Sequence, residues 1–282
     1  MKPDQNKEIL THYDYIINAI STIKSYNEGY ITNFFLGEVR CNLLISKKLL
    51  YIICYEKCIF VLHEDHDFFH LYFICSNEKA LANSLSELIN NYIEYTFVTD
   101  IIGTELYIHK IAGIFFQTGF IMYTTLYRMS RIKNFDEPQI IDVKINNALP
   151  IHAEQIFNIF EKYFDKYSEQ IPLLEEITQF INNNNVMVIN EQQKVLAFVI
   201  FEIKGMTSYL RYWFVLPEYR DKKLGSVLLR SFFHESRYTK RQIFWVLASN
   251  ENAIIRYKHY GFEAETMLDQ VMIKSNNDCK RL

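Results

Sequence analysis

Two short stretches carry the residue types that could do chemistry. In Val215-Leu-Pro-Glu-Tyr-Arg220-Asp-Lys-Lys-Leu-Gly225-Ser226 an apolar run ends, a basic loop follows, and a helical pattern begins near Leu224. The free N–H groups of a helix N-terminus, with the positive end of its dipole, suit a phosphate. Gly225 would let a diphosphate approach the backbone, and Arg220, Lys222 and Lys223 add positive charge beside Leu224 and Ser226. A solvated basic turn with a glycine that merely starts a helix would read the same way. The second stretch is Asn250-x-x-Ala253-x-x-x-Tyr257-x-x-x-Gly261-Phe262, also placed after an apolar run. Its spacing puts Ala253 and Tyr257 on one helical stripe and Gly261 where a helix ends in the left-handed region. Tyr257 alone could be a packed amphipathic tyrosine.

These stretches need a sheet with helices on both faces to hold them. From Gln139 onward the pattern reads β-α-α-β-β-β-α-β-α-β. The helices are 152–164, 173–181, 224–233 and 252–259. The strands are 139–145, 186–189, 195–203, 209–216, 243–247 and 267–273. The late part of the first half repeats the order, with Gly119-Phe120 matching Gly261-Phe262 at an offset of 142 residues. Upstream of residue 58 the match is poor. No proline lies between Pro3 and Pro138, and the polar segment 133–138 sets the expected boundary, giving domains 1–135 and 136–282. A length of 282 residues suits two such domains.

Together the two stretches resemble the GNAT superfamily of N-acetyltransferases over about residues 139–273. The resemblance rests on Val215, Pro217, Arg220, Lys223 and Gly225 for its phosphate loop, and on Asn250, Ala253, Tyr257, Gly261 and Phe262 for its second motif. Lys223 stands where the family usually has the first glycine of that loop. The resemblance implies an α/β (α+β) fold of two tandem mixed-sheet acyl-CoA N-acyltransferase-like domains, the N-terminal one degenerate. It implies transfer of an acetyl or acyl group from acetyl-CoA to the primary amine of a small molecule or peptide. Phe214 and Val215 would pair their backbone with pantetheine, Asn250 would hold the cofactor, and Tyr257 would protonate the departing thiolate. For the base, Glu202 on the preceding strand is the choice, acting through water. Arg211, Tyr212 and Trp213 would lie near the acceptor. A catalytically silent acyl-CoA-binding protein is the alternative.

The corresponding first-half loop, Ile74-Cys-Ser-Asn-Glu-Lys-Ala80, has no glycine, arginine or proline, and Ile108 and Phe115 stand at the offset positions of Asn250 and Tyr257. That half is expected to hold no cofactor. His63-Glu-Asp-His66-Asp-Phe-Phe-His70 could bind a metal, but it falls on a hairpin turn where solvated polar residues are expected, and no metal site is assigned. Five cysteines without a CxxC pair read as free thiols in a reducing cytoplasm. With 12 basic and 14 acidic residues in 1–135 and 18 and 19 in 136–282, neither half is a polycation, which argues against nucleic acid or an anionic membrane as partner. No apolar leader precedes the first charges, and the uncharged stretch 111–127 reads as a helix end, a Gly-Phe turn and a strand.

Overall fold

The computed structural model describes residues 7–132 and 145–276, arranged as two compact units. The first comprises the chain up to Leu126 together with residues from Thr266 onward; the second is Tyr127–Glu265. The units therefore depart from the contiguous segments 1–135 and 136–282, because the end of the chain returns to the first. The expected strand 139–145 and the linker 133–138 lie almost wholly outside the described residues.

In the first unit the order is β1 (Glu8–Ile9), α1 (Asp14–Ser25), β2 (Ile31–Thr32), α2 (Glu38–Ser46), β3 (Leu50–Cys54), β4 (Cys58–Asp65), β5 (Phe68–Cys75), α3 (Glu78–Asn91), β6 (Phe97–Thr104), α4 (Glu105–Phe116) and the start of β7 (Ile121–Ile132). Leu81, Leu85, Leu88, Ile108, Ile111 and Phe115, at helical spacing on α3 and α4, pack on Phe60, Phe73 and Phe97 of the sheet. α1, α2 and β3 complete the first half of the repeat, which the sequence pattern upstream of residue 58 does not announce.

The second unit continues with β8 (Asn146–Asn147), α5 (Ala153–Tyr163), α6 (Leu174–Asn182), β9 (Val186–Glu191), β10 (Lys194–Lys204), β11 (Thr207–Val215), α7 (Leu224–Glu235), β12 (Arg241–Leu247), α8 (Glu251–His259) and β13 (Glu263–Lys274). Its sheet runs β7-β12-β11-β10-β9-β8. One face carries the aromatic core of α5 and α6, built on Phe160, Phe198 and Phe214. The other carries the core of α7 and α8, built on Leu228, Phe232, Phe244, Tyr257 and Phe262. The mixed sheet with helices on both faces is the expected fold class.

The end of β13 belongs to the first unit. From Met267 to Lys274 it pairs antiparallel with β6, Met267 opposite Thr104 and Lys274 opposite Phe97.

The cysteine expectation is corrected. Cys58 and Cys75 are direct cross-strand partners on β4 and β5, and a disulfide joins them. Cys41 is a buried free thiol and Cys54 an exposed one, while Cys279 lies outside the described residues. No helix among the described residues is long and apolar enough to cross a membrane.

Candidate active site

β11 and β12 run parallel, and their register pairs Thr207 with Arg241, Ser208 with Gln242 and Tyr209 with Ile243. Past that point the strands part, leaving the β11 edge from Leu210 to Val215 without a ladder partner on that side among the described residues. A register shift precedes the opening. Ile200 on β10 faces Tyr212, the next residue Phe201 faces Leu210, and Arg211 is the extra residue of a β-bulge. Arg211 meets Glu202 there, its Nε 3.5 Å from Oε2. Nothing in the local alternation announces the bulge.

At the end of β11 the chain makes a 3₁₀ turn over Pro217–Lys222 and enters α7 through Lys223, which is left-handed at φ 60°. That conformation is why glycine is favoured at this position. No side chain caps the first turn of α7, so the amides of Leu224, Gly225 and Ser226 are open to an anion. Arg220, Lys222 and Lys223 stand exposed around this end. Gly225 has an ordinary helical backbone. It is needed for close packing, because a Cβ there would meet the Trp213 ring and Val215.

Tyr257 sits across the opening between the parted strands. Its ring packs 4.1 Å from Phe244 of β12 and 5.6 Å from Trp213 of β11, centroid to centroid. Burial raises its pKa, keeping the phenol protonated. Asn250 caps α8, its Oδ1 accepting from the N–H of Ala253 at 3.2 Å. Gly261 ends that helix at φ 81°.

The remaining expected residues are not all brought together. The Phe214 side chain is core, packed on Tyr163 and Phe164, so only its backbone faces the opening. The Val215 carbonyl accepts a long contact from Arg220 Nε at 3.5 Å. Glu202 follows Ile200 by two residues, on the α5–α6 face, whereas Tyr257 belongs to the α7–α8 face. It is ion-paired to Lys204 as well as Arg211. Trp213 and Tyr212 also diverge: Trp213 lies under α7, and Tyr212 donates its hydroxyl to the Gln170 carbonyl at 2.8 Å. A surface hollow of about 570 Å³ lined by Asn146, His152 and Gln193 shares no residue with this site.

The same segment is recognisable in known proteins. Residues 182–264, which hold the bulge and both motifs, match the acetyltransferase (GNAT) domain family. The second unit carries a GNAT domain. The fold is shared with a GCN5-related N-acetyltransferase from Sphaerobacter thermophilus, at 10% identity and TM-score 0.61 over 98% of this chain and 97% of that one. A tandem GNAT protein from the clavulanic acid biosynthesis pathway aligns at 9% identity and TM-score 0.58 over 96% and 98% of the two chains. A GNAT-family acetyltransferase from Colwellia psychrerythraea aligns at 11% identity and TM-score 0.54, covering 92% and 95%. No curated protein matches significantly. The match to the acetyltransferase domain supports an acyl-CoA-dependent N-acyltransferase.

The first unit has similarly parted strands, but its own chain fills the opening. The register of β5 and β6 pairs Phe69 with Phe97 and His70 with Val98. β2 then lies along β5, Ile31 opposite Cys75 and Thr32 opposite Ile74. Asn33 bridges the gap: Oδ1 accepts from the N–H of Phe73, while Nδ2 donates to the carbonyls of Leu71 at 3.2 Å and Asp100 at 3.0 Å. At the N-terminus of α3, Asn77 caps the helix through the N–H of Ala80 and donates Nδ2 to Glu28. Gly29, at φ 116°, lies so close that a Cβ would stand 2.8 Å from the Ser76 carbonyl. Phe115, where the repeat places the counterpart of Tyr257, is fully buried and has no hydroxyl to give.

Proposed function

We propose that the GNAT domain transfers an acetyl group from acetyl-CoA to a primary amine on a small molecule or peptide. The observation that carries this reading is the uncapped start of α7, with three exposed cations around it, at the end of a strand whose edge is open. These features suit a diphosphate followed by a pantetheine arm. Acetyl-CoA supplies the acyl group already activated as a thioester. The open backbone of β11 through Phe214 and Val215 orients the arm. Arg220, Lys222, Lys223 and the amides of Leu224, Gly225 and Ser226 hold the phosphates, with Asn250 ordering the start of α8. Tyr257, held neutral by burial, gives its proton to the departing thiolate. The amine proton reaches Glu202 through water, since that carboxylate lies on the opposite face.

The first unit is, in this reading, a degenerate copy that holds no cofactor. Residues 28–33 stand in for one, with a carboxylate near the start of α3 and a peptide strand in the opening. Thiol release from acetyl-CoA over a panel of amines, run beside a thermal shift with coenzyme A, tests the function. Stabilisation with amine-dependent thiol release is expected; no stabilisation would remove the reading. Stabilisation without thiol release for any amine favours a silent acyl-CoA-binding protein. The observation on that side is Glu202, already engaged by two cations.

A further inference from the structure

The β4–β5 hairpin of the first unit buries a donor set that the transfer reaction does not use. His63 and His70 are direct cross-strand partners. Asp65 follows His63 by two residues and so projects to the same face of the sheet. The ring planes of the two histidines differ by 12°, with centroids 5.6 Å apart. Nε2 of His70 lies 3.2 Å from Oδ2 of Asp65. One donor atom from each of the three residues falls within 4.8 Å of the others.

The expectation of a solvated turn is corrected by burial. His63 and His70 are 3% and 2% exposed, because both faces of β4 and β5 are covered. Of the three histidines only His66, at the tip, turns outward. Nδ1 of His63 and Nδ1 of His70 are both buried with no hydrogen-bond partner. A buried polar nitrogen without a partner costs stability, and a bound ligand is one way to satisfy it.

We propose that His63, Asp65 and His70 form a binding site for a first-row divalent cation such as zinc. Two imidazoles and a carboxylate form the nitrogen–oxygen set that such ions take, and three protein donors leave a position for water. All three donors stand on adjacent strands of one hairpin, so the backbone already fixes their spacing. The Asp65 carboxylate is further oriented by His66, whose Nδ1 lies 2.7 Å from Oδ1. Phe68 stands edge-on to His70 at 5.0 Å and walls the site with an apolar ring. The site is independent of the acyl-transfer reading.

The purified chain, stripped with a chelator and titrated with zinc, tests the proposal. One zinc per chain is expected, with a higher melting temperature on addition. Asp65→Asn and His70→Gln should each weaken zinc binding by at least ~10-fold. His12→Gln, at an exposed histidine elsewhere in the unit, should leave it unchanged. Because His70→Gln alters a buried position, Asp65→Asn at the partly exposed carboxylate is the deciding variant, with near-UV circular dichroism confirming its fold. Failure of the stripped protein to bind zinc would overturn the site. So would equal binding by wild type and a folded Asp65→Asn protein.

Discussion

Gly225 lies so close to Trp213 that a Cβ on the glycine would stand 2.8 Å from Cζ2 of the indole. The helix whose first amides are proposed to hold the phosphates is thus seated directly on β11. Gly225→Ala must push Trp213 aside, and overpacking of this kind costs about 1–3 kcal/mol. Trp213 in turn leans on Tyr257. A lower melting temperature and a drop in turnover are expected together; an alanine variant as stable as wild type would show that the indole yields freely.

Tyr257→Phe keeps the ring that packs on Phe244 and removes only the proton donor. Loss of a positioned acid lowers kcat by about 100-fold or more, while the KM for acetyl-CoA stays within about twofold. Steady-state kinetics with the best amine found checks both numbers. Unchanged kcat would assign Tyr257 to packing alone.

Lys223 occupies a left-handed conformation that glycine adopts without strain. Lys223→Gly should stabilise the protein by up to ~1 kcal/mol, the relief being partly offset by the greater freedom of glycine when unfolded. At low salt it should also weaken coenzyme A binding, because a charge beside the phosphates is lost. Melting curves and calorimetric titration separate the two effects.

Asn33 ties β5 to β6 where the first unit would otherwise be open. Coenzyme A should therefore bind with a stoichiometry of one per chain. Asn33→Ala leaves buried peptide groups unpaired and should cost about 2–3 kcal/mol without adding a second site. Two equivalents bound to wild type would contradict the filled opening.

Asp269 gives the first unit a pH dependence. Burial, and then the nearby charge of Asp100, hold its carboxyl well above the ordinary range, and its Oδ1 has no hydrogen-bond partner. A carboxyl pKa raised by folding contributes stability that is complete below about pH 4 and is lost as pH rises through the folded value. Asp269→Asn should melt higher than wild type at pH 8, with the gap closing toward pH 4. A gap independent of pH would exclude titration of Asp269 as its cause.

Both motifs were legible because their signals are local. A strand end, basic residues and a glycine within a dozen positions specify a helix start, and Asn250 to Gly261 specify the next helix with its cap and stop. The bulge at Arg211 was not legible, since Leu210-Arg-Tyr-Trp alternates no differently from a regular strand. Asn33 was equally silent: its partners lie 38 to 67 residues away, and β2 is two residues long. His63 and His70 mislead in the other direction. A run of histidines and carboxylates resembles a solvated turn until both faces of the strands are seen to be covered.

The placement of Met267 to Lys274 against β6 sets an order of events during synthesis. The first unit cannot complete its sheet until the whole of Tyr127–Glu265 has been made, because the strand that finishes it follows that segment in the chain. Until then the edge of β6 carries unpaired peptide groups that invite pairing with another chain. A nascent chain halted at Glu265 would therefore expose a sticky strand edge, while the GNAT domain behind it already holds most of its own core.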